Sequence, residues 1–259
     1  MIDRDGRTED ESNTTPEPGA PEPERTPADV GTRGGVEIPK PFTREALESE
    51  EGQIKDGILR MGSLVAEHIL AAIVALETHD AAGALEVILS DEEINHAQHE
   101  VSGLVSKTIA LQQPVARDLR FLLTLDHVAY DLERMGDHAA SVAKQARKLA
   151  PHAPLKDYVH LPEMGRMVAT QVRDVLAAVV EIDDIRAREV AKRDDDVDDL
   201  YHAIFDETLD LMRADPANVD GGARILFAAH YLERIGDRVT NIAEDIVFLA
   251  TGEVADLNP

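Results

Sequence analysis

From residue 43 to about residue 250 the apolar positions recur at steps of three and four, the spacing of a helix that buries one face. Ile94, Ala97, Val101, Leu104, Thr108 and Leu111 form one such seam. Val128, Leu132, Met135, Ala139 and Val142 form a second, and Ala228, Leu232, Ile235, Val239, Ile242 and Ile246 a third. Steps averaging 3.5 residues keep a seam turned toward a neighbouring helix, as in left-handed bundles. Alanine, leucine, glutamate and arginine dominate this region, and Pro41, Pro114, Pro151, Pro154, Pro162 and Pro216 punctuate it. The pattern predicts helices over 43–79, 81–111, 115–150, 155–182, 184–213 and 217–250.

The segments fall into two sets of three because the chain repeats itself. Asp131-Leu132-Glu133-Arg134-Met135-Gly136-Asp137 returns as Tyr231-Leu232-Glu233-Arg234-Ile235-Gly236-Asp237, an offset of 100. Earlier in each half the offset is 103. Met61-Gly62 matches Met164-Gly165, Val65-Ala66 matches Val168-Ala169, Asp80 matches Asp183, and Asp91 matches Asp194. The missing three residues fit in the loop before the third helix of the second half. The expected fold is all-α: two tandem three-helix-bundle repeats, 43–152 and 153–259, related by a pseudo-two-fold axis.

Beside the seams runs a polar stripe that core packing does not explain. In the sixth segment His230, Glu233, Asp237, Asn241 and Glu244 share one face. Glu233 and Asp237, one turn apart, repel each other, and the third segment repeats the pair as Glu133 and Asp137. Asp194 and Asp198 form a second kind of pair on the fifth segment, matched on the second by Asp91 and Asn95. Converging oxygen ligands from facing helices suit hard or borderline cations: iron, manganese, magnesium, zinc or calcium. Two other readings stand beside this one. The stripe is a solvated acidic face, or Arg134 and Arg234, pointing about 100° away on their helices, pair with acids of other helices in an ion network that Arg117 and Arg120 could extend. Glu93-x-x-His96 has di-iron spacing, but Asp199 stands where a second histidine is needed, so His96 and His99 read as surface residues.

Composition narrows the function classes. The chain of 259 residues carries 51 acidic and 26 basic side chains, a net charge of −25. That disfavours nucleic-acid binding, which needs cations to neutralise phosphates. There is no cysteine, hence no disulfide and no thiolate metal site. The first 42 residues hold seven of the 13 prolines (16, 18, 21, 23, 27, 39 and 41) and no aromatic before Phe42, and they read as a disordered tail. No apolar core of signal-peptide length precedes the helices, and the run from Ile69 to Leu76 is too short to span a bilayer, so a cytoplasmic protein is expected. No phosphate loop, nucleophile elbow or kinase signature is present, which points away from an enzyme.

Three stretches resemble the PhoU family of phosphate-transport regulators: Gln112-Gln113-Pro114-Val115-Ala116-Arg117-Asp118-Leu119-Arg120, the run at 131–137, and Tyr231 to Glu244. Asp91-x-x-Ile94-Asn95, Asp194-x-x-Val197-Asp198-x-Leu200-Tyr201 and Met212-x-x-Asp215-Pro216 also fit, and the resemblance covers 43–253. It implies a two-repeat, six-helix protein whose acidic motifs bind multinuclear metal clusters. It further implies a negative regulator that contacts the ATPase of a phosphate ABC transporter and the sensor histidine kinase of a phosphate two-component system, with a homodimer as the expected assembly. Asp91, Asn95, Glu133, Asp137, Asp194, Asp198, Glu233 and Asp237 become the expected ligands. Asn95 departs from the pattern, so two unequal sites are expected, the second half holding metal better. A metal-storage or metal-sensing protein using the same carboxylates directly is the alternative.

Overall fold

Each helix begins where a short polar side chain or a turn stops the preceding one. A computed structural model describes residues 43–155 and 160–257; the tail expected over 1–42 lies outside the described residues. Helix α1 spans Arg44–Glu77, and Thr43 caps it by accepting the Ala46 N–H at 3.1 Å. Helix α2, Ala81–Gln112, starts at Asp80, whose carboxylate accepts the Ala82 N–H at 3.0 Å. Helix α3 is Ala116–Leu149. In the second half α4 spans His160–Glu181, α5 Asp184–Ala191, α6 Asp194–Ala214 and α7 Val219–Thr251, with one 3-10 turn at Pro216–Asn218. Among the described residues there is no strand. Pro162, read from sequence as a boundary, sits in the first turn of α4, where no backbone donor is missed.

The repeat seen in the letters is present in the geometry. Asp183 caps α5 as Asp80 caps α2, accepting the Arg186 N–H at 3.0 Å. The residue before each cap, His79 or Ile182, takes the left-handed conformation, with φ of 54° and 53°. A β-branched residue rarely adopts it, so the tight turn outweighs local preference at Ile182. Gly62 faces Leu176, and Gly165, 103 residues later, faces Ile73; Ile73 and Leu176 are themselves 103 apart. Such reciprocal contacts are what a pseudo-two-fold axis between α1 and α4 generates.

Helices α1, α2 and α3 pack on one another, and α4 packs with α5, α6 and α7. The halves join through α1 against α4 and α3 against α7. The seams named above supply the contacts: Val128, Leu132, Met135, Ala139 and Val142 of α3 are fully buried, as are Ala228, Leu232, Ile235 and Ile242 of α7. Each Leu or Ile so buried contributes about 1.5–3 kcal/mol. Leu111, at the end of its seam, is 42% exposed. Helix α1, contrary to the sequence expectation, is long and apolar enough to cross a membrane by length and composition. The reason is its position: it lies between α2 and α3 on one side and α4 on the other, so it is apolar on two faces, and over half of its apolar window is buried inside the protein.

Candidate functional site

Seven carboxylates fall into two groups, one per half. In the first, Asp91 of α2 lies near enough to Glu133 and Asp137 of α3 for their charges to act on one another, with Asn95 one turn further along α2. Gly136 permits the approach. A Cβ there would lie 2.9 Å from Ile94 Cδ1 and 3.3 Å from Asp91 Oδ1, so a side chain would force the two helices apart. In the second, α6 presents Asp194 and Asp198 toward Glu233 and Asp237 of α7, and a Cβ on Gly236 would lie 2.6 Å from Asp194 Oδ1.

Both clusters hold buried oxygens that no hydrogen bond satisfies among the described residues. Asp91 Oδ1 and Asn95 Oδ1 are buried without a hydrogen-bond donor among the described residues, whereas Glu133 Oε2 and Glu233 Oε2, also without one, sit 3.3 Å from Arg134 Nε and His230 Nδ1 respectively. An unsatisfied buried acceptor costs roughly 1–3 kcal/mol. Burial, and then the negative charge of Asp137, push Asp91 and Glu133 above the usual carboxylate range. Burial and Asp237 do the same to Asp198 and Glu233. Asp194 is the most affected. Burial drives it to about 6, with Asp198, Asp237 and Glu233 adding to the rise while a hydrogen bond from Thr240 Oγ1 at 3.1 Å opposes it. Three carboxylates and an amide oxygen in one cluster, and four carboxylates in the other, suit a magnesium, manganese, iron or zinc ion.

The arginines behave differently from the sequence reading. Arg134 folds back along its own helix instead of reaching another: its guanidinium donates to Asp137 Oδ2 at 3.1 Å and lies 3.3 Å from Glu133 Oε2, with its plane over the Tyr130 ring. A flexible stem cancels the 100° offset of its Cα. Arg234 stays further off, 3.9 Å from Asp237 Oδ2, while His230 Nδ1 stands 3.3 Å from Glu233 Oε2; the second cluster carries one more carboxylate than the first. Arg120 lies over the Phe248 ring, away from both stripes. His96 is exposed beside Glu100, and Glu244 turns to the C-terminal segment, accepting the Leu257 N–H at 2.8 Å.

Sequence reasoning missed the groups behind the clusters. His68 of α1 meets Ser90 Oγ at 3.1 Å, next to Asp91. At the matching positions Gln171 donates to the Arg193 carbonyl at 2.8 Å, next to Asp194. The offset of 103 relates both members of each pair, a signal hidden because neither residue type is repeated.

The comparisons with known proteins agree with this architecture. A family model described as "PhoU domain" matches the chain twice, over residues 58–146 and 161–246. The chain is 41% identical to a phosphate-specific transport system accessory protein PhoU homolog of Clostridium acetobutylicum, over 84% of its own length and 100% of the relative's. It is 33% identical to the protein so described in Streptococcus pneumoniae, over 83% and 100%. Among solved structures, PhoU from Pseudomonas aeruginosa superposes with a TM-score of 0.76 at 32% identity, covering 80% of this chain and all of that one. The phosphate transport system regulatory protein PhoU from Streptococcus pneumoniae gives 0.74 at 31% identity, covering 81% and 99%.

Proposed function

Because the chain belongs to the PhoU family, we propose that it is an accessory regulator of phosphate transport, acting at the cytoplasmic side as an adaptor between a phosphate ABC transporter and a sensor histidine kinase. The observation that carries this reading is the doubled PhoU domain, aligned along the full length of relatives described as phosphate-transport accessory proteins. The role requires no reaction. An adaptor needs only different affinities for two states of its partners, and it then shifts their equilibrium by that difference. When phosphate is plentiful the protein favours the kinase's quiet state, and a homodimer would present the same surface twice. In the source organism, deleting the gene should derepress phosphate-starvation genes in phosphate-rich medium. Reporter expression unchanged by the deletion would overturn the adaptor role.

The carboxylate clusters enter as metal sites. Asp91, Asn95, Glu133 and Asp137 would hold a cation between α2 and α3, and Asp194, Asp198, Glu233 and Asp237 one between α6 and α7. A bound divalent ion would neutralise mutually repelling carboxylates and tie each helix pair together. The buried Asp91 Oδ1 and Asn95 Oδ1, which have no hydrogen-bond donor among the described residues, also favour a second reading, a metal-storing or metal-sensing protein. Elemental analysis of the purified protein beside a Glu133→Ala/Glu233→Ala variant separates the two. Metal lost in the variant with phosphate control intact favours storage or sensing; metal and control lost together ties the ion to the regulatory role.

A further inference from the structure

A third cluster lies where the halves meet, apart from both carboxylate clusters. His127 and Asp131 of α3 are one turn apart on the same face, and Asp245 comes from α7. One ligand atom from each lies within 4.8 Å of the other two. Asp131 is fully buried. Its Oδ1 accepts from Arg238 at 2.8 Å, and its buried Oδ2 has no hydrogen-bond donor among the described residues. His127 is half-exposed at the rim and hydrogen-bonds Asp245 through Nδ1.

Pseudo-symmetry shows that the α3–α7 crossing does not need this chemistry. The offset of 100 takes His127 to Phe227, Asp131 to Tyr231, Arg238 back to His138 and Asp245 back to Gln145. At that opposite pole His138 stacks on Tyr231 at 5.9 Å, and Gln145, Phe227 and Tyr231 line one pocket. The same crossing is therefore built without a carboxylate among those four positions at one pole, and with a histidine, two aspartates and an arginine at the other. A helix-borne pair at i, i+4 plus a third ligand from a facing helix is a common way to assemble a three-ligand divalent site.

We propose that His127, Asp131 and Asp245 form a binding site for one borderline divalent cation, of which Zn²⁺ is the type, bridging the two halves of the molecule. Imidazole and carboxylate oxygen are both zinc ligands, and three protein ligands leave a fourth position for water. Arg238 fixes the Asp131 carboxyl by one oxygen and leaves the other for the ion, the orienting role that hydrogen-bonded carboxylates play around metals. Asp131 forms the floor, and His127 and Asp245 the rim that solvent reaches. The ion would replace the His127–Asp245 hydrogen bond, releasing to solvent any proton held on Nδ1. This site stands independently of the adaptor role.

The test is a Zn²⁺ titration of the chelator-treated full-length protein, read by the ring-nitrogen NMR signals of histidine, with His127→Gln assigning the resonance. The His127 Nδ1 signal should move and saturate at one equivalent of that site. Asp245→Asn should weaken this response by about ten-fold or more, and Glu133→Gln/Glu233→Gln should leave it intact. A His127 signal unmoved while zinc binds elsewhere overturns the proposal, leaving the group a histidine–aspartate clasp. A response unchanged by Asp245→Asn, or abolished by Glu133→Gln/Glu233→Gln, overturns it equally.

Discussion

Gly62 and Gly165 show how far single residues decide this fold. A Cβ on Gly62 would lie 1.8 Å from Leu176 Cδ1, and one on Gly165 would lie 2.4 Å from Ile73 Cγ1. Gly62→Ala should therefore destabilise the protein by about 1–3 kcal/mol, as overpacking does, despite alanine's better helix propensity. Urea unfolding against an alanine placed at Gly103, where a Cβ meets nothing within 4 Å, checks this. The paired Met-Gly dipeptides were legible in the sequence; what they pack against was not, since Leu176 and Ile73 are far along the chain and unlike each other. His138 is a residue-scale feature that no pattern announces. Burial, and then Arg234 and Arg238, lower it from 6.5 to about 4. Between those two values the unfolded chain binds the proton and the folded chain does not, so stability is lost as pH falls through that window. His138→Phe keeps a ring on Tyr231 and removes the titration. Its melting temperature should fall less steeply than the wild type's between pH 6.5 and 4, and an identical profile would contradict this account.

At the scale of elements, the instructive difference between expectation and structure is the fifth segment. The periodicity predicts one helix over 184–213, as its counterpart α2 is one helix, yet the chain breaks at Lys192–Arg193 into α5 and α6. Neither residue is a helix breaker, so local propensity carries no signal. The difference lies across the interface. In the first half His68 reaches the side chain of Ser90; in the second the buried Gln171 takes the Arg193 carbonyl itself, and Arg193 also donates to Asp174 at 2.8 Å. The break sets Asp194, Asp195 and Asp196 in the first turn of α6, where the helix dipole favours acids. Gln171→Leu should remove the side-chain hydrogen bond to the Arg193 carbonyl and cost about 0.5–1.5 kcal/mol. Hydrogen exchange should report it as faster opening at 190–198, with α2 unaffected. Uniform loss of protection across both halves would place the effect in the core instead.

At the scale of the whole molecule, near-symmetry of shape coexists with asymmetry of charge. The repeat and five of the six segments were legible because periodicity and register are written in one dimension. The inequality of the clusters was legible only in part: Asn95 against Asp198 is a letter, whereas the distances of Arg134 and Arg234 from their acids, 3.1 and 3.9 Å, come from side-chain packing. On both counts the second cluster is the one expected to bind a cation more strongly. The net charge of −25 supplies a background against which this must be measured. Self-repulsion on that scale destabilises the compact state and is screened by salt, so raising NaCl from ~0.01 to ~0.3 M should raise the melting temperature by itself. Manganese at ~1 mM adds almost nothing to ionic strength at ~0.15 M NaCl, so any further rise reports site binding, which reaches ~2.7 kcal/mol when free ion is a hundred-fold above Kd. That increment should shrink more in Asp198→Asn/Glu233→Gln than in Asp91→Asn/Glu133→Gln. Taking the increment rather than the melting temperature matters, because each substitution also relieves repulsion and raises the metal-free baseline. Equal increments lost from the two halves would mean that the fourth carboxylate and the more distant arginine do not set affinity, and a wild-type increment no larger than that of sodium at matched ionic strength would reduce both clusters to solvated acidic faces.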